Sequence, residues 1–145
     1  MRQIVDLRKQ KPELKVLLSI GGWGSGRFSE MAANDEYRRA FAADCDRVVK
    51  EFALDGIDID WEYPTSSMAN ISSSPDDTEN FTLLMQDIRA AIGNEKELTL
   101  ATVASARYID FKAILPSVDF VNIMAYDMAS APKHHSALYP SGHSG

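Results

Sequence analysis

The sequence predicts an α/β fold in which parallel strands alternate with helices. Short apolar runs of strand length recur along the chain, and the longer stretches between them have apolar residues at helical spacing. The runs are apolar at consecutive positions, which is typical of strands covered on both faces of a parallel sheet. Strands and helices in this order form β-α-β units with right-handed crossovers. A length of 145 residues suits one domain.

Four strands are predicted from these apolar runs. The first covers residues 14–20 and is closed by a pair of glycines, and the second covers residues 56–61. The third covers residues 98–103 and the fourth residues 118–126. A polar loop rich in Ser and Asn follows the second strand, where a parallel sheet turns back toward its next helix.

Helical segments are predicted before and between the strands. Residues 1–11 have the pattern of the end of a helix, which Pro12 terminates. The apolar residues between Asp35 and Phe52 keep the spacing of one helical face. Four further helices are therefore expected: a short one capped by Ser29, a long one over 35–52, one capped by Asp76 or Asp77 that ends near Ile92, and a short one over 108–115.

The charge and hydropathy of the sequence limit the kinds of molecule that the protein is expected to bind. The net charge is −6 and the pI about 5.0, so the chain repels phosphate backbones and anionic membranes, and neither nucleic acid nor membrane is expected as a partner. No apolar run approaches the ~18 residues of a membrane span. The N-terminus lacks the apolar core of a signal peptide. Cys45, the single cysteine, is expected to be a packed thiol on a helix face.

Carboxyl groups occupy every second position of the second strand. Residues two apart on a strand point to the same side, so Asp58, Asp60 and Glu62 form one row, called the acid row below, with Cα atoms about 6.6 Å apart. Adjacent carboxyl groups in such a row cannot all ionise, so at least one pKa rises and a proton is shared. The intervening residues should pack against helices: Ile57, Ile59 and Trp61.

Three interpretations of the acid row are open at this point. It could lie on an edge strand and face water, but the apolar opposite face disfavours that. It could bind a hard cation, but the sequence has no second acid cluster to complete a cage. The favoured interpretation is general acid catalysis, in which a carboxyl group stays protonated near neutral pH and gives its proton to a leaving oxygen. Glu62 ends the row at the carboxyl end of the strand, where barrels of alternating strands and helices build their active sites.

Three segments carry a resemblance to a known family. The run Asp55-Gly-Ile-Asp-Ile-Asp-Trp-Glu-Tyr-Pro64 resembles the signature of the glycoside hydrolase family 18 chitinases. Ser19-Ile-Gly-Gly-Trp23 is similar to the family's Ser-x-Gly-Gly motif, and Met124-Ala-Tyr-Asp127 to its Met-x-Tyr-Asp motif. The resemblance implies a partial TIM (β/α)8 barrel, with residues 1–145 as an internal fragment of one catalytic barrel domain that covers roughly strands three to six.

The resemblance also implies an activity. It implies hydrolysis of β-1,4-linked N-acetylglucosamine in chitin or chitooligosaccharides, by a retaining mechanism in which the substrate's N-acetyl carbonyl attacks its own anomeric carbon. Glu62 would be the general acid and base, and no metal or cofactor is implied. The other catalytic residues would be Asp60, which holds the acetamide, Asp58, which shares a proton with Asp60, and Tyr126, which donates to the acetamide carbonyl. The substrate-binding residues would be Gly21, Gly22, Trp23, Tyr63, Met124 and Asp127.

Several of these residues have a plain structural alternative. Met124 and Tyr126 could be packing inside a barrel, and the two glycines could form a tight turn after the first strand. Trp23 could stack on sugar or act as a wedge at the barrel rim. Trp61 is expected in the core because of its parity on the strand.

Other expectations concern the whole molecule. A closed barrel of this type typically needs about 250 residues, so we expect the isolated chain to self-associate through open barrel edges and to show little turnover. The family implies a secreted enzyme. A chitin-binding, chitinase-like lectin is the competing function, but such proteins typically lack the terminal Glu that is present here as Glu62.

Overall fold

A computed structural model describes residues 1–130, 132–134 and 138–143. Its centre is a four-stranded parallel sheet with the strands in chain order. The strands are β1 (Leu17–Gly21), β2 (Gly56–Asp60), β3 (Glu97–Val103) and β4 (Phe120–Met124). The predicted parallel α/β fold is confirmed, although β1 and β4 are shorter than the apolar runs that predicted them. Within the described residues, β1 and β4 are the two edges of the sheet.

Helices alternate with the strands along the chain. The long helix α3 has the predicted bounds, because its amphipathic spacing and its ends are local properties of the sequence. Asn34 caps α3, since its side chain accepts a hydrogen bond from the Tyr37 N–H. The helices are α1 (Arg2–Val5), α2 (Phe28–Ala33), α3 (Asp35–Phe52), α4 (Asp77–Ile92) and α5 (Phe111–Ile114), with 3-10 turns at Asp6–Lys9 and Leu115–Ser117.

The predicted cap at Ser29 is wrong, and the predicted cap of α4 is right in position but makes no capping bond. Ser29 lies inside α2, and its hydroxyl donates to the Asp77 carboxylate at 2.7 Å. Asp76 occupies the N-cap position of α4 but makes no side-chain cap hydrogen bond. Asp77, the first residue of α4, is fully buried and turns its carboxylate toward the loop that precedes the helix, where it accepts from the N–H groups of Thr65 and Ser74. This carboxylate therefore holds the long loop between β2 and α4 in place.

The hydrophobic core lies between the sheet and the helices. Ile57 and Ile59 are fully buried on that face of β2, and Trp61 is 2% exposed, as their parity predicted. The Trp61 ring stacks on Phe28 at 5.4 Å and meets Phe81 edge-on at 5.5 Å. Each large apolar side chain buried in this way contributes about 1.5–3 kcal/mol. The core thus fixes β2 from the face opposite the acid row.

A repeated carboxylate clamp fixes the amino ends of the strands. The Asp55 N–H donates to the Val16 carbonyl, and the Asp55 carboxylate accepts from the Val16 N–H and from Arg8. The same three contacts recur two strands further along, between Asp119, Leu98 and Arg89. Polar residues at the amino ends of the strands therefore stabilise the fold, while those at the carboxyl ends can form a functional site.

Candidate active site

The acid row lies on the face of β2 opposite the core. Asp58, Asp60 and Glu62 are all half-buried, and the residues between them are buried. Parallel pairing sets Asp58 beside Ser19 on β1 and beside Thr99 on β3. The predicted alternation of faces is confirmed, so the sheet presents the three carboxyl groups on one surface.

Asp58 accepts hydrogen bonds from three other strands. One oxygen accepts from the Ser19 hydroxyl on β1 at 2.8 Å. The other accepts from the Thr99 hydroxyl on β3 and from the Asn122 side-chain amide on β4 at 3.2 Å. All three donors are neutral, so none of these contacts is an ion pair. Asp58 is therefore held by donors from three other strands, and no hydrogen bond joins it to Asp60 in the described part of the chain.

Asp60 has the most perturbed carboxyl group of the acid row. Burial raises its pKa to about 6, and the neighbouring charges of Glu62 and Asp58 add to that rise. Its Oδ1 is buried and has no hydrogen-bond partner among the described residues. A buried polar atom without a partner is uncommon, and it marks a place where a ligand can supply the missing hydrogen bond. Asp60 is thus ready to change its protonation state near neutral pH and to bind a polar group.

The two predicted substrate-binding glycines contact the backbone of Asp60. Gly21 has φ +129°, and a Cβ placed there would lie 1.9 Å from the Asp60 carbonyl oxygen. The Gly22 N–H donates to that same oxygen at 2.7 Å. Only glycine permits such a close approach at a positive φ. The glycines therefore fix the position of Asp60. They form a tight turn at the end of β1, and this structural role does not depend on any contact with substrate.

A cavity of about 400 Å³ opens beside Glu62. Six of the ten predicted site residues line it, and Val103, the last residue of β3, adds an apolar contact that sequence reasoning missed. Val103 pairs with Met124 on the neighbouring strand β4, and this strand register is the signal from which Val103 could have been identified. The predicted residues in the lining are Trp23, Glu62, Tyr63, Met124, Tyr126 and Asp127, whereas Asp58, Asp60, Gly21 and Gly22 are outside it.

Aromatic rings form one side of this cavity. Tyr63 follows Glu62 through a cis peptide bond, and its ring lies between Trp23, edge-on at 6.4 Å, and Tyr108, stacked at 4.9 Å. Burial raises the pKa of Tyr63 to about 12, and the Glu62 carboxylate adds to the rise, so the phenol stays protonated beside Glu62. Trp23 and Tyr126 are 60% and 57% exposed, so both rings are accessible to a ligand.

Three polar residues around Asp58 were not assigned a role from the sequence. Ser19 was noted only as part of a motif, and Thr99 and Asn122 were not singled out. A polar residue in an otherwise apolar strand is the signal that identifies each of them, once the register of the sheet is known.

The described part of the chain contains neither a candidate metal site nor a candidate membrane span. Within the described residues, no three His, Cys, Asp or Glu side chains are grouped to hold a metal ion. Across the same ranges, no helix is long and apolar enough to cross a bilayer.

Comparisons with known proteins identify the family of this chain. The chain matches the model of the glycosyl hydrolases family 18 over residues 1–144. Chitinase A1 of Niallia circulans is 38% identical over an alignment of 149 positions, which covers 94% of this chain and 21% of that protein. The chitinase domain of the spore coat protein CotE from Clostridium difficile is 41% identical with a TM-score of 0.90, and the match covers 99% of this chain and 44% of that one. A family 18 N-acetylglucosaminidase from Paenibacillus barengoltzii is 39% identical with a TM-score of 0.87, covering 97% and 46%.

The chain therefore belongs to glycoside hydrolase family 18, a family of glycosidases that includes chitinases. Its sheet and helices correspond to part of the TIM (β/α)8 barrel in the family's chitinase structures, so both the family and the fold predicted from the sequence are confirmed. The chain spans 21% to 33% of the length of the curated relatives it matches.

Proposed function

We propose that the protein hydrolyses β-1,4 linkages between N-acetylglucosamine units of chitin or chitooligosaccharides, with Glu62 as general acid and base. The observation that carries the proposal is the position of Glu62. It ends a row of three carboxyl groups and lines a cavity together with exposed aromatic rings, which suit the apolar faces of sugar rings. Relatives named as chitinases and an N-acetylglucosaminidase point to the same class of substrate.

The first step breaks the glycosidic bond. Glu62 gives its proton to the glycosidic oxygen, and the bond between that oxygen and the anomeric carbon breaks. The carbonyl oxygen of the substrate's own acetamide forms a bond to the anomeric carbon from the opposite face, which gives a cyclic oxazolinium ion. The substrate supplies the nucleophile, so the enzyme needs one proton donor rather than a pair of reacting carboxylates.

Asp60 serves the acetamide group in this scheme. Its unpartnered Oδ1 can accept a hydrogen bond from the acetamide N–H, and this contact orients the acetamide carbonyl toward the anomeric carbon. When ionised, the carboxylate also places negative charge near the oxazolinium ion. The charge of the neighbouring Asp58 carboxylate adds to the rise in the pKa of Asp60 that burial causes.

The second step releases the product. A water molecule attacks the anomeric carbon and gives a proton to the Glu62 carboxylate, and the acetamide is regenerated. Two inversions at one carbon give net retention. Tyr126 would donate a hydrogen bond to the acetamide carbonyl, Asp127 would bind polar groups of the sugar, and Met124 and Trp23 would contact its apolar faces. Each residue would act from the wall of the same cavity.

The place of action is also part of the proposal. One similar solved protein is described as a spore coat protein and another as a cell-surface-expressed multi-modular enzyme. We infer that this protein also acts outside the cytoplasm, on an insoluble or oligomeric extracellular substrate. Immunogold labelling of thin sections of the source cells would test this, and label confined to the cytoplasm would contradict it.

The enzymatic proposal is tested by a matched pair of variants of the complete protein in which this sequence occurs. Hydrolysis of a fluorogenic chitooligosaccharide is compared between wild type, Glu62→Gln and Glu13→Gln, where Glu13 is an exposed loop residue. Loss of a general acid typically costs 10²–10⁴-fold in rate, so we expect that loss for Glu62→Gln and none for Glu13→Gln. Binding of the oligosaccharide without turnover by the wild type would favour the lectin instead.

A further inference from the structure

Tyr108 lies behind the cavity and contacts one of its walls. It is 8% exposed and belongs to the loop between β3 and α5. Its ring stacks on Tyr63 with a centroid distance of 4.9 Å and an interplanar angle of 8°. Tyr63 lines the cavity, but Tyr108 does not. A substrate in the cavity would therefore contact the Tyr63 ring, and Tyr108 would support that ring from the far side.

Tyr108 is itself held by its chain neighbour Arg107 and by Thr78 on α4. The Arg107 guanidinium lies 4.7 Å from the Tyr108 ring centroid, and its Nη2 donates to the Tyr108 hydroxyl at 2.6 Å. The Thr78 hydroxyl on α4 donates to the Tyr108 carbonyl at 3.0 Å. The backbone and the ring of Tyr108 are thus both anchored, so this residue can act as a support with few conformations of its own.

The supported residue is next to the proposed proton donor. Tyr63 follows Glu62 in the chain, and its phenol is a protonated neighbour of the Glu62 carboxylate. Trp23 restrains the Tyr63 ring only by an edge contact at 6.4 Å. The parallel stack on Tyr108 is therefore the closer of the two aromatic contacts that orient Tyr63, and any tilt of Tyr63 changes the surroundings of Glu62.

We propose that Tyr108 is a positioning residue for the glycosidase reaction, which acts through Tyr63 to hold the wall of the cavity beside Glu62. This inference rests on the proposed function. Stacking requires the ring and not the hydroxyl, so Phe should replace Tyr108 and Leu should not. A displacement of about 1 Å at a reacting group can cost ~100-fold in rate, and a looser Tyr63 should cost ~10-fold or more in kcat. KM should change less, because Tyr108 does not line the cavity.

The kinetic test uses Tyr108→Phe, Tyr108→Leu, Tyr63→Leu and the double variant Tyr63→Leu/Tyr108→Leu of the complete protein. We expect Tyr108→Phe to retain at least half of the wild-type kcat, and Tyr108→Leu to lose ~10-fold. If Tyr108 acts through Tyr63, its replacement has no further effect once Tyr63 is Leu. Losses that multiply in the double variant, or a Tyr108→Leu enzyme with wild-type kcat, would overturn the inference.

A second readout does not depend on turnover. Tyrosine rings are labelled with 13C, and Tyr63 is assigned from the resonance that disappears in Tyr63→Phe. A stacked neighbour shifts ring protons upfield, so the shift should persist in Tyr108→Phe and vanish in Tyr108→Leu. An unchanged Tyr63 resonance in Tyr108→Leu refutes the positioning role even if the enzyme hydrolyses chitin. Equal activity of wild type and Glu62→Gln refutes the proposed function instead, so the two failures are distinguishable.

Discussion

Replacement of Gly21 by Ala is the perturbation whose effect can be worked most directly from the structure. A Cβ at this position would lie 1.9 Å from the Asp60 carbonyl oxygen, while Cβ contacts in proteins stay above 3.0 Å. The end of β1 and the Asp60 backbone must therefore separate by at least about 1.1 Å. Ala at a positive φ adds about 1–2 kcal/mol of strain, and overpacking of this kind costs about 1–3 kcal/mol. Together these values predict a loss of about 2–5 kcal/mol in the free energy of unfolding.

Gly56 provides a matched control for that prediction. A Cβ there would lie 1.9 Å from the Glu97 carbonyl oxygen, which is the same overlap at the amino end of β2, four residues before Asp60. Gly56→Ala should therefore lower stability without a direct clash against the Asp60 backbone. Because Gly21→Ala displaces Asp60 itself, we expect it to lower kcat by ~100-fold as well. Thermal unfolding and chitooligosaccharide hydrolysis are measured on both variants. Equal kcat in Gly21→Ala and Gly56→Ala would refute the role assigned to Gly21.

Three further predictions follow from single contacts. Burial raises the pKa of Asp60 from 3.8 to about 6, so folding favours the neutral form and the folded protein loses stability as the pH rises through about 6. Asp60→Asn should therefore raise Tm at pH 8 and leave it nearly unchanged at pH 4. An equal effect at both pH values would contradict this. Asp77→Ala should lower the free energy of unfolding by about 2–4 kcal/mol, because it leaves the Ser29 hydroxyl and two loop N–H groups without a buried acceptor. A urea midpoint within error of wild type would refute this. The isolated 145-residue chain should self-associate through its sheet edges, where Phe120 and Ile123 are exposed; a concentration-independent monomer in sedimentation that is also active would exclude this.

The parts of the fold that could be predicted are those set by local pattern. The bounds of α3 follow from apolar spacing over consecutive turns, and the burial of Trp61 follows from parity on one strand. The predicted cap at Ser29 failed for the opposite reason, because its hydroxyl bonds to Asp77, 48 residues away. A local rule gives no information about a partner that only the folded chain brings close.

The same distinction applies to the site. Glu62 and the acid row could be identified because their residues alternate within one strand. The donors to Asp58 come from positions 39, 41 and 64 residues away in the sequence, so they require the register of three strand pairs. Tyr108 was missed as a neighbour of Tyr63 because the two rings meet across separate loops. Sequence reasoning therefore identified the acid row and Tyr63 and missed several residues that contact them.

The stereochemistry of the first product tests the central claim most directly, that the linkage is cleaved by two successive displacements at the anomeric carbon. The complete protein is mixed with a β-linked chitooligosaccharide, and the anomeric protons of the new reducing end are followed by 1H NMR before mutarotation. The account predicts that the β-anomer appears first, because two displacements at the anomeric carbon retain its configuration. Initial formation of the α-anomer would mean a single displacement by water, and would contradict the mechanism.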